Sequence, residues 1–458
     1  MPPPATASTS CSGRRTPDCS PYTDADPHHL ERPEERFPAM FKNFWYAVEF
    51  ADRVGRTPAK VVCLGQSLVL YRTKDGKPVA LSDLCAHRGA ALSGGSLSDD
   101  CVVCPYHGWR FDPEGACTSI PANMPGRGIP KKARVDSYPA CERYGFVWVF
   151  MGDLPEAERP PIPVWPEFDD LVENGGSYRV VTGEYLWNSN YERVLENGCD
   201  IAHTPFVHGA AFGNPDRPEV EEYTVEQPDE WSAFATVSMH PPAAKGLWSK
   251  LYADRRSQGQ ERPPVVTTAG WMLPNLVKLH VRLPFGNMII YDTNIPVDET
   301  TTLVKWVALR DFFTGSWADA NARKRVYRIF GQDAPVVDAT RPELLPADLG
   351  AELHLRSDMI SVAYRRRRQE LAAKGWAVGS GDRITGDVPE RTSTVIASPS
   401  RRDVPEFGRA WEQKAHGFHP TVESAEQPAA QTARSAGPRA AQPTAESTDR
   451  SAAHPESE

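Results

Sequence analysis

The sequence has no apolar run long enough to cross a bilayer. Its longest candidate, YGFVWVFM at Tyr144–Met151, suits a buried strand, whereas a spanning helix needs about 20 apolar residues. The first residues, MPPPATASTSCSGRRTPDCSPYTDADPHH, lack the apolar centre of a secretory signal, so a cytoplasmic protein is expected. Positive charge is not in excess. Fifty-one Lys and Arg face 60 Asp and Glu, a net charge of −9, which argues against a nucleic-acid binder with its basic face. No internal repeat is visible. Cysteine is scarce and odd in number, nine in 458 residues, which without export suggests thiols that bind metal or pack rather than pair.

Overall, 40% hydrophobic and 24% charged residues are ordinary for a globular chain. The apolar residues are unevenly spread, however. Residues 1–36 are rich in Pro, Ser, Thr and charge, and Pro420–Glu458 holds ten alanines but no aromatic, Leu or Ile. Such segments cannot bury enough surface to offset their ordering entropy. We therefore expect a disordered tail over 1–36 and a mostly disordered Ala/Pro-rich tail over 378–458, in which RAWEQKAHGF could form a short docked helix.

Between the tails, AKVVCLGQSLVLYRTKDGKPVAL reads as three strands with turns at GQ and KDGK. Short strands continue to YGFVWVFM. The proline-rich PEAERPPIPVWPEF then marks a boundary between domains at 37–160 and 161–377. Beyond it, SYRVVTGEYLW, WSAFATVSMH, LVKLHVRL, NMIIYDTNIP and TTLVKWVALRDFF read as strands. NYERVLENGCDIAH, SWADANARKRVYRIFGQDAPVVDATR and SDMISVAYRRRRQELAAKGW have helical spacing. The expected class is α+β, an all-β module followed by an antiparallel sheet with helices.

The chemistry begins at LCAHRGAALSGGSLSDDCVVCPYHGWRF. Cys85 and His87 form one pair, and Cys104 and His107 another, in the pattern C-x-H-x16-C-x2-H. Each pair can come from one hairpin tip, so two loops could close over a metal. Zinc fingers usually place CxxC in one half and the histidines in the other. One Cys and one His in each half instead suit a [2Fe–2S] centre with both thiolates on one iron and both imidazoles on the other. A structural Cys2His2 zinc site is the bland alternative. Cys101 completes a CVVC with Cys104, but is read as a small apolar residue entering a strand. Cys63, Cys117, Cys141 and Cys199 are likewise read as packing residues.

A second constellation follows in NYERVLENGCDIAHTPFVHG. Asp200, His203 and His208 form D-x-x-H-x4-H. Two imidazoles five residues apart can bind one metal from the same side, and a carboxylate from elsewhere would complete a 2-His-1-carboxylate site with open positions.

With both motifs present, the chain resembles the large (α) subunits of the Rieske non-heme iron oxygenases, in their α-only, trimeric monooxygenase and demethylase branch. The resemblance implies a Rieske domain inserted in a catalytic architecture whose helix-grip-like antiparallel sheet carries a mononuclear iron. It implies that Cys85 and Cys104 hold one cluster iron and His87 and His107 the other. Respiratory Rieske proteins carry an extra, disulfide-bonded cysteine in each cluster loop; here Tyr106 stands in place of the second. Tyr106 and Trp109 could donate hydrogen bonds near the sulfurs.

The resemblance also implies that His203 and His208 bind Fe(II), with a third ligand from a downstream helix. Asp333, in QDAPV, fits that pattern, and Asp338, Glu343 and Asp358 compete with it. In the family, an aspartate placed as Asp200 is bridges an iron histidine to a cluster histidine of the neighbouring subunit in a homotrimer. The bland alternative is that Asp200 caps a local turn.

The implied activity is oxidation of a small organic molecule, such as a secondary metabolite, by hydroxylation, demethylation or oxidative cyclisation. It would use O2 and electrons from NAD(P)H delivered by a ferredoxin or flavin reductase. An electron carrier without oxygenase activity, and a zinc-stabilised binding module, are the competing classes; the D-x-x-H-x4-H motif argues against both. The basic run YRRRRQE reads as a solvated helix face or a docking face for an acidic redox partner. His240 and His280 read as structural or pocket-lining, and Phe206, Phe212, Trp271 and Met272 as core or substrate-facing residues.

Overall fold

Alternating β-branched and aromatic residues, broken by tight turns, make the first third of the chain a series of short strands. The computed structural model describes residues 40–209, 213–240, 264–378 and 395–404. The expected tail at 1–36, most of 378–458, the segment RAWEQKAHGF and Phe212 lie outside the described residues. Strands β1 (Met40–Phe41), β2 (Phe44–Phe50), β3 (Ala59–Cys63), β4 (Gln66–Arg72) and β5 (Pro78–Ser82) come first. The turn expected at GQ is Leu64–Gly65, with φ of 55° and 72°, and Gln66 already pairs with Cys63. Two consecutive left-handed residues are what a two-residue hairpin demands.

A small sheet follows, formed in order by β6 (Ser96–Ser98), β7 (Cys101–Val103), β8 (Arg110–Phe111) and β9 (Cys117–Ser119). Then β10 (Ser137–Tyr138) joins the edge of β5, while β11 (Ala140–Arg143) and β12 (Phe146–Met151) pair with each other and β12 with β2.

The proline-rich connector leads into α1 (Pro166–Asn174) and a seven-stranded antiparallel sheet. It is built from β13 (Arg179–Trp187), β14 (Val225–Asp229), β15 (Ser232–Met239), β16 (Val265–Met272), β17 (Leu276–Leu283), β18 (Gly286–Pro296) and β19 (Thr302–Arg310), in the order 13-19-18-17-16-15-14. Helices α2 (Tyr191–Cys199), α3 (Thr204–Val207), α4 (Asp319–Val337) and α5 (Met359–Ala373) complete it. α2 packs on β16, β17 and β18, α4 on β13 and α5 on β15. The observed class is the expected all-β module followed by a sheet with helices.

The boundary near residue 160 is a change of sheet and not a gap. Trp165, in the connector, is fully buried among Ala47, Phe146 and Trp148 of the first module and Ile289 and Tyr291 of the second sheet. Its ring stacks on Tyr144 at 5.1 Å and Tyr291 at 4.3 Å. Short strand β1 also pairs with β20 (Ala377–Val378) at the far end of the catalytic part, Met40 opposite Val378.

Two expectations are corrected here. Residues 395–404 fall in the segment read as mostly disordered, yet Val395 and Ile396 are buried and the Ile396 amide donates to Gln66 Oε1 at 2.8 Å. Arg401 pairs with the buried Asp136 at 2.7 Å. A short apolar pair and a buried carboxylate needing a partner dock this piece. The basic run is also only in part a solvated face, because Arg366 is exposed but Arg365 and Arg368 are buried. Arg365 pairs with Glu196 at 2.6 Å and Arg368 with Glu192 at 2.7 Å, which ties α5 to α2 beneath the metal-binding segment.

Candidate metal centres

The two Cys/His loops are built alike. In the first, the Gly89 amide donates to the Cys85 carbonyl at 2.8 Å and the Cys85 amide to the Ala90 carbonyl at 2.9 Å. In the second, Gly108 donates to Cys104 at 3.0 Å and Cys104 to Trp109 at 2.8 Å. Both glycines are left-handed, with φ of 68° and 69°, a conformation that costs glycine little. Each loop thus turns back four residues after its cysteine and aims one thiol and one imidazole in the same direction.

Cys85 and Cys104 are buried, at 1% and 2% exposure, and lie close enough to influence each other. Burial, then that neighbour, pushes the Cys85 thiol up, so without a metal it is a poor nucleophile. The rings of His87 and His107 lie 4.5 Å apart on the outer side, and His87 Nδ1 is buried without a partner. The donors therefore meet as a sulfur pair and an imidazole pair. A single zinc would draw all four donors into one shell, but among the described residues they form no such group. The donor set fits a two-iron cluster. Tyr106, exposed, lies over His107 at 3.9 Å and Trp109 stacks on His87 at 4.6 Å, so both touch the imidazole side of the site. Cys101 begins β7, with Sγ 3.7 Å from Thr118 Oγ1, as its packing role implied.

The second site rests on α3, a single helical turn with His203 just before it and His208 just after. Asp333 comes from α4, on the buried stripe Val326, Phe330, Ala334 and Val337. Pro335 lies inside the last turn of this helix. His208 Nε2 is 3.0 Å and His203 Nε2 3.6 Å from Asp333 Oδ1. The three ligand atoms all lie within 4.8 Å of one another, the one such trio among the described residues.

Asp333 Oδ1 is buried with no hydrogen-bond partner, and a buried carboxylate next to two imidazoles fits a divalent metal. Burial lowers the His208 pKa, but the Asp333 carboxylate and Gln332 outweigh it and the net shift is upward. Gln332 Oε1 lies 3.1 Å from His208 Nδ1 and so fixes the ring with Nε2 toward Asp333. The competing carboxylates lie elsewhere. Asp338 accepts from Ser189, Glu343 pairs with Arg341 at the surface, and Asp358 accepts from the Leu355 amide.

Asp200 ends α2. One oxygen accepts from the Ala202 amide at 2.8 Å, which is the local turn cap, while the other lies 3.3 Å from His203 Nδ1. That approach is close enough for charge attraction but out of line for a hydrogen bond, and Nδ1 stays unpartnered. The Asp200 side chain keeps 34% of its surface exposed, so it links the metal site to the outside of the chain.

Beside the trio opens an apolar cavity. Val277, Leu279, Val281, Ile290, Val304 and Phe330 wall it. Sequence reasoning did not find its polar members Asp292, Thr267 and Asn294. The signal was available for two of them, because strand alternation in NMIIYDTNIP puts Ile290, Asp292 and Asn294 on one face. Burial, then the Asp333 charge, pushes the Asp292 carboxyl up to about 7.

The side chains suggested instead do not line the cavity. Phe206 is 69% exposed, Trp271 donates to the Ile360 carbonyl in the core, and Met272 packs beside Trp165. His280 is held by Asn287 at 3.0 Å, and His240 is not among the lining residues.

Fold and sites together define a protein with a Cys2His2 site in its first module and a His2Asp trio beside an apolar cavity in its second. Residues 44–139 match the Rieske [2Fe-2S] domain family, and residues 187–374 the vanillate O-demethylase oxygenase C-terminal domain. Methylxanthine N3-demethylase NdmB of Pseudomonas putida is 29% identical over 345 residues, spanning 72% of this chain and 89% of that protein. The structure of Pseudomonas putida CBB5 NdmA with caffeine superposes with a TM-score of 0.60 at 26% identity, covering 74% of this chain and 92% of that one. Dicamba monooxygenase bound to 3,6-dichlorosalicylic acid shares the fold, with a TM-score of 0.59 at 23% identity over 74% of this chain and 99% of that one.

The chain belongs to the Rieske non-heme iron oxygenases, as a large subunit. It is an oxidoreductase that uses a [2Fe–2S] cluster, mononuclear iron and O2, with electrons that reach it from NAD(P)H through a reductase. It acts on small molecules as an oxygenase and is not a mere electron carrier. No helix among the described residues is long and apolar enough to cross a membrane.

Proposed function

We propose that this chain is a monooxygenase or demethylase whose cluster is held by Cys85, His87, Cys104 and His107, and whose Fe(II) is held by the facial triad His203, His208 and Asp333. The observation that carries the reading is the convergence of those last three ligand atoms within 4.8 Å at the base of an apolar cavity. The iron supplies binding and activation of O2 next to the substrate. In the net reaction one oxygen atom enters a substrate C–H bond and the other leaves as water, consuming two electrons and two protons. On an O- or N-methyl group, the hydroxymethyl product would break down to formaldehyde.

The protein's own residues do the positioning. Gln332 holds the His208 ring and keeps Nε2 free to bind metal. The hydrocarbon walls shield the site from water and favour an apolar small molecule. Asp200, whose carboxylate lies 3.3 Å from His203 Nδ1, bridges that ring to a cluster histidine of a neighbouring subunit in a homotrimer. Its 34% exposure, and the exposure of His107, support that role. The electron donor is a ferredoxin or flavin reductase. None of the seven described cysteines is in a disulfide, which fits the proposed reducing, cytoplasmic setting.

The test is iron and acid-labile sulfide per chain on anaerobically purified protein, with an electron-resonance spectrum after reduction. About three irons and two sulfides, with a histidine-ligated cluster signal, are expected. Two irons with no further uptake of Fe(II), or zinc without sulfide, would refute the assignment.

A further inference from the structure

The cavity carries polar atoms that its walls leave unsatisfied. Asp292 lies on β18, its side chain on the same face as Ile290 and Asn294, and its Oδ1 is buried without a partner. In register it stands between Val277 and Trp306. Neither satisfies it, and Trp306 Nε1 is itself unpartnered. Apart from the metal-site atoms His203 Nδ1 and Asp333 Oδ1, two other lining residues share this condition, Thr267 through Oγ1 and Trp187 through Nε1. Folded proteins pair roughly nine in ten or more of their buried polar groups. Three unpaired ones around a single cavity mark where a ligand supplies the missing bonds. Among the described residues, no lysine or arginine lines the cavity.

We propose that Asp292 is the specificity-determining residue of this cavity and that it selects a small, mostly apolar substrate carrying an N–H or protonated-amine donor. The proposal rests on the oxygenase reading above. A carboxylate among hydrocarbon walls rewards a charge-assisted donor, which is stronger there than in water. It also disfavours an aromatic carboxylate, because a second anion would be buried beside Asp292 with no lysine or arginine among the described lining residues to offset it. Thr267 and Trp187 meet the remaining polar groups of the substrate.

Equilibrium dialysis of the iron-loaded protein against naphthylmethylamine, naphthalenemethanol and naphthoate tests this, since the three share a ring and differ in the polar group. The wild type should bind the amine tightest and the carboxylate weakest. Asp292→Asn keeps an acceptor oxygen and removes the charge, so it should weaken the amine by at least about tenfold and leave the alcohol within about threefold. Asp292→Leu should weaken both. Iron and sulfide per chain should match the wild type in both variants.

Naphthoate binding as tightly as the amine, amine affinity unchanged in Asp292→Leu, or no saturable binding of the amine by the wild type would each overturn the proposal. So would loss of the mononuclear iron in the variants, which would make Asp292 a support of the metal site. A wild type that takes up no third iron is a separate failure, because it removes the oxygenase reading and this proposal with it.

Discussion

Replacing Asp333 by Ala removes the one carboxylate, among the described residues, within reach of both iron-site histidines. The wild type then has a stabilising ligand that the variant lacks. At free Fe(II) a hundredfold above its Kd, binding to the native state adds about 2.7 kcal/mol. For 150–250-residue domains 1 kcal/mol moves Tm by about 2–4 °C, and this larger folded unit responds less, so the rise is at most about 5–10 °C. Without Fe(II) the comparison differs, because Asp333 is 4% exposed and its Oδ1 is otherwise unpartnered. Removing a buried, poorly paired carboxylate should then cost little or even stabilise. Anaerobic scanning calorimetry with and without Fe(II), alongside the visible spectrum of the cluster, separates the two terms. The variant should keep the cluster's colour, lose about one iron per chain and show no Fe(II)-dependent rise in Tm. Retention of all the iron, or of the full rise, would refute the assignment. Asp338→Ala is the control, since Asp338 bonds Ser189 and lies about 140° around α4 from Asp333.

Three further outcomes are expected. Asp200→Asn should keep both metals but slow NAD(P)H-driven turnover by about 10–100-fold or more, with single-turnover chemistry of the pre-reduced enzyme as a second readout; unimpaired turnover would refute the bridging role. Arg368→Met leaves Glu192 buried without its main partner, the side chains being 1% and 0% exposed, and should cost about 3–5 kcal/mol in urea unfolding; a loss below about 1 kcal/mol would contradict the buried pair. Hydrogen bonds from Arg179 and Arg310 hold the Asp319 carboxyl well below its usual range. Its contribution is therefore present above the unfolded pKa, about 4, and is lost as pH falls through the lower folded value. Asp319→Asn should thus lower Tm at neutral pH, with the gap to wild type closing as the pH drops below about 4.

Much of the site was readable because metal ligation is chemically narrow and local. Cys85 with His87, and Cys104 with His107, sit on short loops whose left-handed glycines follow each cysteine at the same interval. His203 and His208 flank one helical turn, so their spacing alone implies a shared side. The basic run at Tyr364–Glu370 misled for the opposite reason. Charge usually means solvent, and nothing local reveals that Glu192 and Glu196 of α2 face α5. The docked segment 395–404 was hidden likewise, because its reason for ordering is Gln66 and Asp136, more than 250 residues away.

Residue type and local spacing were enough to recognise two metal sites, their donor atoms and the alternation of strands and helices, because these depend on neighbours within a few bonds or one turn. The choice among Asp333, Asp338, Glu343 and Asp358 was not local, since carboxylates look alike along a chain. Packing of α4 against β13 turned Asp333 inward toward His203 and His208 and left Asp338 at the helix end. The identity of the cavity is tertiary for the same reason. Strand alternation shows that Ile290, Asp292 and Asn294 share a face, but only the seven-strand order puts that face opposite Phe330 and beneath α2, where an unpaired carboxylate meets an empty volume instead of water.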